Sequence, residues 1–209
     1  MNAAACDLEA GELEFAQPQE LRGAPRFFAL IRSAKLVSAQ GEFVCVVRDV
    51  SETGVRLRCF HTLPRDTTMA LELQNGDVFE IERVRDDGAE ASFRFAEPVT
   101  IERLMQESAH YPRRPLRLNI ALPLSLRTPG GAVAAVTHNV SQQGCRVEAA
   151  LPLAIAQSVV LESPHLPGIR AKVRWRRDGE CGLVFDDTFS LRDFAIHAAR
   201  LQCPVLAAA

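Results

Sequence analysis

Aromatic residues are scarce in this 209-residue chain: they make up 6% of it, with one tryptophan, Trp175, and one tyrosine. A barrel that tracks single-stranded nucleic acid needs a row of stacking platforms and a basic groove. With few aromatics and a net charge of −2 at pH 7, a nucleic-acid-binding protein is not expected. No apolar stretch approaches the ~20 residues that span a bilayer, so no membrane insertion is expected. The first residues, MNAAACDLEAGELE, hold acids but no Lys, Arg or apolar run, unlike a secretory leader; the chain is read as cytoplasmic. Its six cysteines, at 6, 45, 59, 145, 181 and 203, include no CxxC pair and have no accompanying His cluster. A metal site is therefore not expected, and the thiols are read as free and mostly buried. Walker, GxSxG and HExxH motifs are all missing. The chain is read as a non-enzyme without a cofactor.

What is present is a duplication. Sliding the chain against itself by 90 residues sets Leu36 on Leu126, Val50-Ser51 on Val140-Ser141 and Gly54 on Gly144. The same offset sets Arg56 on Arg146, Leu71-Glu72 on Leu161-Glu162, Glu90 on Glu180 and Phe95 on Phe185. A constant offset with matching apolar positions marks two copies of one domain. The expected boundaries are a mobile acidic arm over 1–19, domain 1 over 20–107, a linker over 108–111, domain 2 over 112–203 and a tail over 204–209. Within each copy apolar residues alternate with period two, as in FVCVVRDV, GVRLRCF, GCRVEAA and CGLVF, which predicts strands. Asn75-Gly76, Asp87-Gly88 and Asp178-Gly179 read as hairpin turns. Each copy ends in a predicted helix, TIERLMQ and SLRDFAIHAARL, the second capped by Ser190 with Asp193 three residues on. The fold class is mainly β: two small antiparallel barrels, each followed by a helix.

Two signals recur. One is a pair of arginines four apart, Arg22 and Arg26, then Arg113 and Arg117. The other is Asp49-Val-Ser51-Glu-Thr-Gly54, then Asn139-Val-Ser141-Gln-Gln-Gly144. The second arginine precedes the Asp or Asn by 23 residues in copy one and by 22 in copy two. The difference falls before Leu36, as a bulge or a longer leading loop. Either signal alone fits solvated arginines or an ordinary Asx/Ser turn; the weight lies in their ordered recurrence. Together with RRPLRLNIALPLSL and KVRWRRDGECGLVF, they resemble the PilZ family, over nearly the whole chain and twice.

The resemblance implies six-stranded barrels and cyclic di-GMP as ligand. The residue chemistry agrees. A guanidinium forks onto guanine O6 and N7, pairs with phosphate and stacks on a purine face. Arg113, Arg114 and Arg117, or Arg22 and Arg26, would clamp the nucleotide from one side. Asp49, or Asn139 through its amide oxygen, would accept from the guanine edge, and Ser51 or Ser141 would add a hydroxyl. Gly54 and Gly144 would allow a tight turn with φ > 0 and close ligand approach. Arg146, and Arg56 in copy one, point to ligand or to solvent. Trp175 either stacks on a guanine or packs against the barrel or helix; Arg85 stands at its position in copy one. Copy two, with its doubled arginine and its tryptophan, is the favoured site. His138 reads as a surface residue and Cys145 as barrel core. The expected function is that of a cyclic di-GMP receptor that rearranges its domains to regulate a partner protein in motility, exopolysaccharide synthesis or attachment. The alternative is a ligand-independent interaction scaffold. An effector protein is the expected partner, and a homodimer is left open.

Overall fold

The computed structural model describes residues 27–106, 115–164 and 166–207, with side chains from residue 32 onward. Arg22, Arg26, Arg113 and Arg114 lie outside the described residues, as do the expected arm and linker.

Two closed six-stranded antiparallel barrels follow one another. The first contains β1 (Phe27–Ser38), β2 (Gly41–Val50), β3 (Gly54–Cys59), β4 (Thr68–Glu72), β5 (Val78–Asp86) and β6 (Glu90–Phe95). The short helix α1 (Ile101–Met105) comes next. The second contains β7 (Pro123–Thr128), β8 (Gly131–Ser141), β9 (Gly144–Ala149), β10 (Ser158–Ser163), β11 (Leu166–Arg177) and β12 (Glu180–Phe185). Helix α2 (Leu191–Gln202) follows it, and the 3-10 turn at Pro204–Ala207, expected as a tail, packs on the first barrel, where Leu206 is buried and its carbonyl accepts from Thr62 N at 3.0 Å. Strand order is the same in both, β1-β2-β3-β6-β5-β4 and β7-β8-β9-β12-β11-β10. The repeat survives into the pairing, since Leu36 faces Leu71 and Leu126 faces Leu161, all buried.

Period-two alternation places one face of every strand inside. Leu57, Ile81, Phe93 and Phe95 fill the first barrel, and Val147, Val173, Leu183 and Phe185 fill the second. The thiols of Cys45, Cys59, Cys145 and Cys181 are free and buried among them. Burial pushes the Cys59 and Cys145 thiols up to about 12, so both stay neutral and apolar in character. The Asp178-Gly179 turn has φ of 51° and 82°, the primed hairpin geometry that suits twisted strands. The one-residue difference between copies lies in β1, whose pairing with β2 is irregular between Phe28 and Arg32.

A third apolar cluster joins the barrels. Leu116, Leu118, Ile120 and Leu122, on the segment leading into β7, pack with Val44 of β2 and with Phe194, Ala195 and Ala198 of α2. Buried Thr137 holds that segment, donating to the Ile120 carbonyl and accepting from the Leu122 amide at 2.8 Å. Helix α2 starts as its sequence suggests: Ser190 Oγ accepts from Asp193 N at 3.1 Å and donates to Asp193 Oδ2 at 2.6 Å. It ends on the first barrel. Gln202 Nε2 donates to the Glu42 carbonyl at 2.6 Å, and Glu42 N donates to Gln202 Oε1 at 2.8 Å. Among the described residues no helix is long and apolar enough to cross a membrane.

Candidate functional site

The site grows from two matching irregularities. β8 carries an extra residue against β9 between Thr137 and Asn139, and β2 carries one against β3 between Val47 and Asp49. A bulge shifts the alternation by one, so the residue after it changes face. Thr137 and Val47 point inward. Asn139 and Asp49, two positions on, are turned to the outer surface instead, opposite Arg146 and Arg56. β11 repeats the device between Val173 and Trp175. Trp175 is thereby placed outside, where it is 41% exposed.

The outcome is a lateral row of outward side chains across four strands: Asn139 on β8, Arg146 on β9, Gly182 on β12 and Trp175 on β11. Gly182 lets the indole lie flat on the sheet, because a Cβ there would sit 2.0 Å from Trp175 Nε1. Arg117 reaches the row from the leading segment, its Nη1 donating to Asn139 Oδ1 at 2.7 Å. The backbone bridge between Leu118 and Val140, with N–H to carbonyl distances of 2.9 Å in both directions, fixes the approach. The motif arginine and the motif amide, 22 residues apart in sequence, are thus in contact.

Arg146 is paired with Glu180. This hydrogen bond raises the arginine further and holds the Glu180 carboxyl below its ordinary value. His138, the bulged residue, lies 3.4 Å from Glu148 and 3.6 Å from Glu180. Within the row, Arg117 meets only the neutral amide of Asn139 and has no ion-pair partner among the described residues.

The serines and glycines of the motif build the turn. Ser141 is 1% exposed, and its hydroxyl donates to the Gly144 carbonyl at 3.0 Å. Ser51 does the same to Gly54 at 3.3 Å and accepts from Gly54 N at 3.1 Å. Neither glycine has positive φ, which corrects the expectation of a left-handed turn residue. Close approach is the reason for glycine instead. A Cβ on Gly144 would lie 2.1 Å from the Leu183 carbonyl oxygen, and one on Gly54 would lie 2.7 Å from that of Phe93.

The corresponding row of the first barrel is Asp49, Arg56, Ser92 and Arg85. Here opposite charges close on one another. Arg56 lies 3.6 Å from Asp49 and 3.7 Å from Glu90, and Arg85 bonds Asp87 at 2.7 Å. Serine replaces the glycine platform, and no indole covers it.

Sequence reasoning missed Gly182 and Glu180. The offset already matched Glu180 to Glu90, but no role followed from the match. Gly182 carried a weaker signal, a lone glycine within an alternating strand, which marks a close approach.

Residues 107–200 match the PilZ domain family. No curated protein sequence matches the chain. Among solved structures, the chain is similar to Bacillus subtilis inhibitor of motility, MotI/DgrA, at 15% identity over 84% of this chain and 99% of that one, with a TM-score of 0.35. Borreliella burgdorferi PlzA, solved in complex with c-di-GMP, is 11% identical over 83% of this chain and 88% of that one, with a TM-score of 0.34. Escherichia coli YcgR, also solved with c-di-GMP, is 9% identical over 79% and 80%, with a TM-score of 0.33.

Proposed function

The chain belongs to the PilZ domain family through its second barrel, and we propose that this barrel makes it a receptor for cyclic di-GMP. The observation that carries the reading is the contact between Arg117 and Asn139, at one end of a row that closes on Trp175 at the other. On binding, Arg117 exchanges the neutral amide for a guanine edge or a phosphate, a stronger charge-assisted partner. Asn139 Oδ1 is then released to accept from guanine N–H groups. Trp175 stacks a base, a contact worth about 1–3 kcal/mol. Arg113 and Arg114, four and three residues before Arg117 in the sequence, complete the clamp. Ser141 and Gly144 shape the turn that presents Asn139, and Arg146 is released from Glu180 only if a phosphate competes for it.

The first barrel is the weaker site in this reading. Its Asp49 is already satisfied by Arg56, so Arg22 and Arg26 have less to converge on. Ser51 and Gly54 serve there as turn residues.

Regulation of a partner protein follows the chain from Arg117 to Asn119. Asn119 donates from its backbone N and its Nδ2 to Glu42 of the first barrel, at 2.7 and 2.8 Å. A nucleotide that draws Arg117 towards itself pulls on this link and shifts the barrels. The shift is limited by the ligand's differential affinity for the two arrangements. A surface for an effector of motility, exopolysaccharide synthesis or attachment is thereby opened or hidden.

Calorimetry with cyclic di-GMP tests the reading. The intact chain gives saturable heat, and each arginine removed in Arg113→Ala or Arg117→Ala weakens binding by about ten- to a hundredfold, as for a hydrogen bond to a charged group. No heat from the intact chain overturns it and favours a ligand-independent scaffold. The closed charge row of the first barrel already fits that role.

A further inference from the structure

The strand that carries Trp175 is basic, and its counterpart in the other barrel is acidic. Residues 170–177 hold five cationic side chains and no acid, whereas residues 80–87, at the same 90-residue offset, hold four acids and two arginines. Glu80 stands where Arg170 stands, Glu82 where Lys172 stands, and Asp86 and Asp87 where Arg176 and Arg177 stand. All eight of these residues are exposed. The charges inverted while the barrel, the strand order and the bulge were kept.

Local pairing does not use up these charges. Arg170, Lys172 and Arg174 have no ion-pair or hydrogen-bond partner for their side chains among the described residues, and neither does the Glu80 carboxylate. On β5, Arg83 donates to the Pro64 and Arg65 carbonyls at 2.9 and 3.0 Å and reaches Asp86 only at 3.8 Å, Arg85 holds Asp87 at 2.7 Å, and the Glu82 contact with Arg94 is long, at 3.6 Å, which leaves Glu80 and Glu82 as the acids least engaged. Each face also has an apolar centre. Val78 and Val84 are 55% and 61% exposed beside the acids, and Trp175 and Val184 lie among the cations. An apolar centre with a charged rim is the anatomy of a protein interface.

The two faces cannot meet within one chain by simple closure. β5 lies across its barrel from β2, the strand on which α2 docks, and β11 lies across its barrel from β8. Leu166, the first residue of β11, packs against the junction cluster, whereas the cations at 170–177 further along the strand are exposed.

We propose that a second copy of this chain docks there, the acidic β5 face of one protomer against the basic β11 face of the other. Closed barrels offer no free strand edges, so the contact is face to face through side chains. Its rim is charged and exposed, so association is salt-dependent. A contact between non-equivalent faces either closes reciprocally as a dimer or propagates as a chain of protomers. It needs no nucleotide.

The test is sedimentation velocity on the intact chain across ionic strength, with two charge-reversed variants, K172E/R174E and E80K/E82K. The wild type self-associates at low salt and dissociates as salt is raised. Each variant alone is monomeric, and an equimolar mixture of the two associates again, because each then meets a face of opposite sign. Reassociation on mixing shows that both variants are folded. A wild type that stays monomeric at low salt overturns the proposal. So do variants that self-associate as the wild type does, or folded variants, with the circular dichroism of the wild type, that fail to associate when mixed.

Discussion

Two glycines in the second barrel stand over different neighbours, and the difference sets what each tolerates. A methyl on Gly144 meets the Leu183 backbone oxygen, which can move only with its strand. Gly144→Ala is expected to cost about 1–3 kcal/mol of stability, as overpacking does, measured by urea denaturation. A methyl on Gly182 meets the Trp175 indole, which can swing outward. Gly182→Ala is expected to leave the melt near that of the wild type while shifting Trp175 emission and weakening nucleotide binding. The motif glycine was legible in sequence, but its reason was misread as positive φ, because a carbonyl on a strand about 40 residues away leaves no local trace. His61 is a different case. It is buried against Phe43, with ring centroids 5.1 Å apart, and its Nδ1 donates to the Thr62 carbonyl at 2.7 Å. Burial holds its imidazole below the usual histidine value, outweighing that hydrogen bond. Between the folded and unfolded pKa values the unfolded chain binds more protons, so stability is full above pH ~6.5 and falls as pH drops below it. Thermal melts across this window should show the loss, and His61→Phe should reduce it, leaving the share of His197, whose imidazole burial also holds below the usual value; an unchanged slope would place the acid sensitivity elsewhere.

The strands were the legible elements. Period-two alternation marks an outer and an inner face, and the duplication says the same thing twice. The bulges at Arg48 and His138 were not legible, since a bulge is defined by a partner strand and not by its own residues. Yet the bulges decide that Asp49 and Asn139 face outward. Helix α2 was readable from its cap, and Ser190→Ala should cost about 1 kcal/mol, seen as a lower denaturation midpoint. Its destination was not readable. Gln202 finds its partner at Glu42, 160 residues away, and comparing the copies as equals hides the fact that the last helix belongs to the junction. The first helix, TIERLMQ in sequence, is only the five residues of α1, with Leu104 as its buried anchor.

Beside the apolar cluster, polar links from α2 and from one carboxylate join the barrels. Glu42 accepts both donors of Asn119 and sits 3.2 Å from Lys35, which is buried and also bonds Glu72 at 2.9 Å. Burial alone pulls the Lys35 ammonium down, but Glu72 and Glu42 outweigh it and the net is upward. Glu42→Ala should cost about 1–3 kcal/mol and loosen the pair of barrels, visible as a larger radius of gyration in solution scattering. The nucleotide reading is open to a probe built into the chain, because Trp175 is its single tryptophan and ends the proposed row. Cyclic di-GMP is added while indole emission is followed in the wild type and in Arg117→Ala. Saturable quenching in the wild type, shifted to much higher nucleotide concentration in the variant, is the expected result. Emission that stays constant throughout the titration, or that responds equally in both proteins, would contradict a site shared by Arg117 and Trp175.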